Sequence, residues 1–279
     1  MSALISPADL LRLLETSEDV VLLDARPGGT SYAADHLRGA RHADLDTQLS
    51  AAREDGADPA RGGRHPLPSL DRWVRLLGSW GITPSKQVVV YDDQAGANAA
   101  ARTWWMLRAI GHERVSVLDG GFAAAVAAGV PVTTAEEVHA PQPPYPATAW
   151  QRPVVDMERV DALREDKAWR VLDVRSRERF RGETEPIDPV AGHIPGAINL
   201  PFADNLEEGR FKSAETLRAQ YEQLLGGTPV SRLVVHCGSG VTACHTLLAL
   251  EHAGLAGASL YIGSWSEWCR GGKPQAKGE

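Results

Sequence analysis

The chain has 279 residues, 43% of them hydrophobic and 23% charged, with a formal net charge of −7. This length allows two ordinary hydrophobic cores, and the acidic balance argues against nucleic acid as the main partner. Three cysteines, Cys237, Cys244 and Cys269, form an odd and sparse set without paired spacing, so neither a disulfide framework nor a zinc site is indicated.

No run reaches the roughly 20 apolar residues of a membrane span. The opening Met1-Ser2-Ala3-Leu4-Ile5-Ser6-Pro7 carries no signal pattern. A soluble, cytoplasmic protein without membrane contact is expected. In chain order, the first strong element is the apolar run Val20-Val21-Leu22-Leu23, which ends in Asp24-Ala25-Arg26 and is followed by Asp35-His36-Leu37-Arg38-Gly39-Ala40. A second strand is predicted at Val88 to Asp92, then a helix around Trp104-Trp105-Met106-Leu107, then a strand from Val115 to Leu118 before Asp119-Gly120-Gly121-Phe122. The stretch from Thr133 to Pro153 contains Pro141, Pro143, Pro144, Pro146 and Pro153. Such a composition cannot hold a helix and suits a semi-rigid linker.

Beyond the linker the pattern returns. Arg170-Val171-Leu172-Asp173-Val174-Arg175 again ends in Asp-x-Arg, ahead of Gly192-His193-Ile194-Pro195-Gly196-Ala197. Leu233 to Cys237 stands where Val88 to Asp92 stood, and a helix through Leu250 and a strand from Ser259 to Ile262 complete the copy. Two tandem α/β domains are predicted, each a mainly parallel sheet flanked by helices. Their expected bounds are 1–140 and 154–279, with 141–153 as the linker. His36 and His193 occupy the same point of each repeat, which predicts a role in the fold. Trp104, Trp105, Trp265 and Trp268 are assigned to packing. The tail from Gly271 to Glu279 has nothing to bury and is expected to be mobile.

The chemistry concentrates at Cys237-Gly238-Ser239-Gly240-Val241-Thr242, a tight turn from a buried strand into an Ala/Leu-rich helix. Two glycines let the turn bend and bring backbone N–H groups round to one point, where the first N–H groups of the helix also converge. Such a cradle binds an anion and favours the thiolate form of a cysteine inside it. In the first copy Asp92 holds the equivalent position. A carboxylate cannot accept a sulfur atom, so that copy is expected to be structural.

This loop resembles the active-site loop of the rhodanese-type sulfurtransferases, and within that family it is similar to the 3-mercaptopyruvate branch. The thiosulfate branch carries basic residues where Gly238 and Ser239 stand. Cysteine-based phosphatase relatives need a longer loop closed by an arginine, and here Ala243 follows Thr242. The resemblance spans nearly the whole chain. It implies a persulfide carried on Cys237, with Gly238, Ser239, Gly240, Val241 and Thr242 holding the substrate. It further implies that Ser239 is assisted by a histidine and an aspartate, which match His65 in Gly63-Arg64-His65-Pro66 and Asp44 in the segment after Gly39. An Asp–His–Ser relay would orient the imidazole and polarise the hydroxyl; from the residues alone, His65 equally fits an exposed loop and Asp44 a turn cap.

Arg179 falls where the family's substrate-binding arginine stands, while Arg177 and Arg181 equally fit solvated surface charge. Many relatives of the mercaptopyruvate branch carry a second arginine shortly before Gly-His-Ile-Pro. Here that region reads Pro186-Ile187-Asp188-Pro189-Val190. The activity implied is transfer of sulfur from the small molecule 3-mercaptopyruvate, releasing pyruvate, to a thiol acceptor such as thioredoxin or a small thiol, or to cyanide in an assay. No metal or organic cofactor is implied. Thiosulfate sulfurtransferase (rhodanese) is the alternative, and a non-catalytic binding module the more distant one.

Overall fold

The computed structural model describes residues 2–279 and gathers them into two compact units. One takes the chain through Ser50, then Pro68–Gln151 and Gly209–Phe211; the other takes Ala51–Leu67, Arg152–Glu208 and Lys212–Glu279. Each unit is built on one five-stranded sheet, and every pairing within both sheets is parallel. In the first, Leu4–Ile5, Val115–Leu118, Gln87–Tyr91, Val20–Asp24 and Ala40–His42 lie side by side in that order. In the second the order is Val154–Val155, Ser259–Tyr261, Leu233–His236, Arg170–Asp173 and Ile198–Asn199. The two orders correspond strand for strand, as the internal repeat predicts.

The central strands read as unbroken apolar runs because a parallel sheet is covered on both faces. Gln87–Tyr91 and Leu233–His236 are buried at every position. Parallel neighbours require crossover connections, which are made by helices with ordinary start signals. Ser6 caps Pro7–Thr16 by accepting the Asp9 N–H at 3.1 Å, and Asp156 caps Met157–Leu163 by accepting the Arg159 N–H at 2.8 Å. Leu10, Leu22, Val89, Tyr91 and Leu118 meet in the core of the first unit. Val160, Val171, Val234, Tyr261, Trp265 and Trp268 do so in the second. Trp104, Trp105, Trp265 and Trp268 are all fully buried.

The repeated Asp-x-Arg closes each Asp-bearing strand on itself. Arg26 Nη2 lies 2.7 Å from Asp24 Oδ2, and Arg175 Nη2 lies 2.6 Å from Asp173 Oδ2, all four side chains being buried. The repeated histidines are matched in the same way. His36 Nδ1 bonds the Tyr32 carbonyl at 2.8 Å and stacks on the Tyr32 ring; His193 Nδ1 bonds the Phe180 carbonyl at 2.8 Å and stacks on Phe180.

Two sequence expectations change. The loop Ala51–Leu67 falls inside the expected first domain, yet it packs with the second unit. The tail is also tied down. Ala276 exchanges both backbone hydrogen bonds with His193, at 2.9 and 3.0 Å, and the Pro274 carbonyl accepts the Trp268 indole N–H at 2.7 Å. A tail poor in apolar side chains is held here by these backbone bonds and by Lys273 Nζ on Asp161 at 2.9 Å, which composition does not report. The proline-rich stretch follows the first unit closely, with Gln142, Tyr145 and Gln151 donating backbone N–H groups to the carbonyls of Gly78, Val74 and Ala109.

Candidate active site

Cys237 directly follows the strand Leu233–His236, and the helix Thr242–His252 begins beyond Val241. The thiol is 1% exposed, and the Gly240 N–H donates to its Sγ at 3.2 Å. Gly240 has φ +74°, and a Cβ placed there would lie 2.5 Å from the Ile262 carbonyl oxygen. Only glycine allows this turn. No side chain caps the following helix, so its first N–H groups face the loop. The loop is stitched to the short helix Ser264–Trp268: Cys237 N–H donates to Ser264 Oγ at 3.2 Å, and the Cys237 and Gly238 carbonyls accept from Trp265 and Ser266 at 3.0 and 2.9 Å. Ser264 itself has φ +54°. Its hydroxyl donates to the Tyr261 carbonyl at 2.9 Å, which fixes this strained residue in place.

His65 is brought to the loop, its Nδ1 lying 2.8 Å from Ser239 Oγ. The segment that carries it is fastened to the same unit by the Gly62 N–H on Glu267 Oε1 at 2.6 Å and the Arg64 N–H on Ser266 Oγ at 3.0 Å. Asp44 lies in the first unit, where its Oδ1 accepts both the N–H and the hydroxyl of Thr47, at 2.8 and 2.6 Å. Burial alone would raise its carboxyl; the two Thr47 bonds, with the His42 charge and the Asp46 N–H, together hold it below the ordinary value.

Arg179 stands at the cysteine loop, with Nε and Nη2 anchored on Glu185 at 3.2 and 2.7 Å. Arg177 and Arg181 pair instead with Asp204 and Glu183 on the surface. Gly238 faces two guanidinium groups. A Cβ there would lie 3.2 Å from Arg64 Nη2 and 3.5 and 3.6 Å from the two Nη atoms of Arg179. Arg64 carries no signal of its own in the sequence beyond its place beside His65. Its pairing with the buried Asp188 becomes apparent only in the folded chain.

The first copy presents the same cradle already filled. The Asp92 carboxylate accepts the N–H groups of Gln94, Gly96, Asn98 and Ala100 at 2.8 to 3.2 Å. Burial pushes its carboxyl above the ordinary value, and these four donors offset only part of that. Among the described residues no cluster of His, Cys, Asp and Glu could hold a metal ion, and no helix is long and apolar enough to cross a membrane.

A thiol presented to backbone N–H groups at the carboxyl end of a parallel strand, in one of two copies of an α/β domain, defines a cysteine-based transfer site. The sequence matches the rhodanese-like domain over residues 6–128 and again over 156–270, and the chain belongs to the rhodanese family. It is 43% identical over 276 residues to the probable 3-mercaptopyruvate sulfurtransferase of Pseudomonas aeruginosa, which covers 96% of this chain and 95% of that one. It is 36% identical over 256 residues to the thiosulfate sulfurtransferase of Bos taurus, covering 90% and 82%. The structure of 3-mercaptopyruvate sulfurtransferase from Leishmania major matches with a TM-score of 0.80 at 29% identity, over 96% of this chain and 74% of that one.

Proposed function

We propose that this chain is a 3-mercaptopyruvate sulfurtransferase working by covalent catalysis on Cys237. The Cys237 thiolate attacks the donor sulfur, the S–S bond forms as the C–S bond breaks, and the electron pair leaves on carbon as the enolate of pyruvate. The enolate takes up one proton to give pyruvate, and the new persulfide releases one, so the half-reaction is balanced. The loop from Gly238 to Thr242 cradles the persulfide's terminal sulfur as an oxyanion hole holds developing charge. A thiol acceptor, a small thiol or reduced thioredoxin, then removes that sulfur; cyanide does so in an assay.

The observation that carries this reading is the hydrogen bond of 2.8 Å between His65 and Ser239. A mercaptopyruvate donor needs a proton delivered to its leaving enolate, whereas thiosulfate leaves as sulfite and needs none. Asp44 enters the proposal on the family resemblance alone, as the group that favours the charged imidazole. The guanidinium groups of Arg64 and Arg179 beside Gly238 favour a second reading, in which thiosulfate is also used as a donor, because a dianion gains from fixed positive charge.

Steady-state comparison of the two donors tests the proposal. The expected kcat/KM is roughly tenfold or more higher for 3-mercaptopyruvate, about 1.4 kcal/mol in transition-state binding. A preference for thiosulfate that Ser239→Ala leaves unchanged would overturn it.

A further inference from the structure

The geometry points to His236 and Ser264 as a pair of positioning residues that clamp the backbone of Cys237 from both sides and so set the reactivity of its thiol. The inference rests on the reading of Cys237 as the nucleophile. The internal repeat supplies the control. Asp24 lies opposite Tyr91 in the first sheet as Asp173 lies opposite His236 in the second, which equates Tyr91 with His236. The Phe122 N–H donates to the Asp92 carbonyl at 2.9 Å as the Trp265 N–H donates to the Cys237 carbonyl at 3.0 Å, which equates Gly121 with Ser264. Both of these residues have a left-handed backbone, with φ +64° and +54°.

In the first copy neither position touches the backbone of the loop residue through a side chain. The Tyr91 hydroxyl accepts the Leu37 N–H at 3.1 Å and donates to Asp24 at 2.9 Å. Gly121 has no side chain, and a Cβ there would overlap the Asp92 carbonyl oxygen. In the second copy both side chains turn to residue 237. His236 Nε2 stops 3.9 Å short of Asp173, and Nδ1 lies 3.3 Å from the Cys237 carbonyl. A carbonyl oxygen only accepts, so Nδ1 carries the ring proton. Ser264 Oγ accepts the Cys237 N–H at 3.2 Å and donates to the Tyr261 carbonyl at 2.9 Å.

The fold itself does not call for this serine, because glycine makes the same turn in the first copy. A side chain held in the left-handed region costs free energy, and such strain persists where function uses it. Its effect here is to tie up both polar backbone groups of Cys237 while the Gly240 N–H keeps its bond of 3.2 Å to Sγ. Burial, with Arg175 and His193, holds the His236 imidazole below its ordinary value against the pull of Asp173. The ring is therefore neutral at neutral pH and acts through its hydrogen bond. Arg64, Arg175 and Arg179, the cations around the loop, are no part of the clamp.

The test gives each position the residue of the first copy, Ser264→Gly and His236→Tyr, in the full chain. Three quantities are read: the pH dependence of iodoacetamide alkylation followed on the Cys237 peptide, the single-turnover rate of persulfide formation from 3-mercaptopyruvate, and the urea midpoint. Ser264→Gly is expected to slow persulfide formation roughly tenfold and to move the alkylation profile to higher pH, the loss of one buried hydrogen bond, with a midpoint unchanged or raised by the released strain. His236→Tyr is expected to act in the same direction, and the double variant to be little worse than either. An unchanged alkylation profile and persulfide rate in Ser264→Gly, or losses that follow the fraction unfolded, would reduce the pair to packing and overturn the inference. A wild-type chain alkylated at Cys237 that forms no persulfide would instead overturn the function, and its alkylation profile against that of Ser264→Gly would still decide the clamp.

Discussion

At Gly240 a single hydrogen atom decides whether the cradle exists. Gly240→Ala would place a Cβ 2.5 Å from the Ile262 carbonyl and force an L-residue to φ +74°. The left-handed conformation alone costs roughly 1–2 kcal/mol, and the carbonyl has to move as well. The variant is expected to show a lower urea midpoint and little cyanide-dependent turnover; retention of both would contradict the cradle. Ser239 and His65 are joined by one hydrogen bond, so they should act as a unit. Ser239→Ala and His65→Asn are each expected to lower kcat for 3-mercaptopyruvate by roughly 10²-fold, and the double variant should be little worse than either. Additive losses in that cycle would separate them. At this scale the sequence reveals Cys237 and its glycines, because the turn chemistry is local. Arg64 stays hidden because its meaning comes from Asp188 and Gly238, both far from it along the chain.

Elements show the same division between local and distant signals. The central strands are legible as apolar runs, and the duplicated Asp-x-Arg marks the ends of the strands beside them. The edge strands Leu4–Ile5, Ala40–His42, Val154–Val155 and Ile198–Asn199 are too short to display any period, so only their neighbours reveal them. The loop around Asp92 yields a prediction about stability. Asp92→Ala strands the buried N–H groups of Gly96 and Ala100 and the half-buried ones of Gln94 and Asn98, each buried one costing about 1–3 kcal/mol when left unpaired, so a large fall in the unfolding midpoint is expected. Persulfide formed per folded molecule should not change, as active-site titration with the donor would show. A loss of titratable sites in proportion to folded protein would give this loop a chemical role.

His112, buried against Tyr145, makes the fold sensitive to acid. Burial holds its imidazole down to about 4, against roughly 6.5 in a free chain. Between those values the unfolded chain binds a proton that the folded chain refuses, so stability is lost as pH falls through this window, by up to about 3 kcal/mol. Denaturant titrations across it should show His112→Gln with a shallower dependence, by close to one proton. An unchanged slope would mean that His112 does not govern it.

Across the whole molecule, duplication has produced one cradle holding a nucleophile and one holding a carboxylate. Both sequence copies are legible because the strand pattern repeats in order, but the path of Ala51–Leu67 into the second unit is not, since no boundary in composition marks it. One sulfur per chain is therefore the expected capacity, although the chain contains two further cysteines. Cys244 is fully buried, and burial also pushes the Cys269 thiol up, which disfavours its thiolate. The most direct measurement is peptide-level mass spectrometry of the whole chain after treatment with 3-mercaptopyruvate. The account predicts one added sulfur, on Cys237, released by cyanide and absent in Cys237→Ser. Sulfur retained in Cys237→Ser, or found on Cys244 or Cys269 in the wild type, would contradict it.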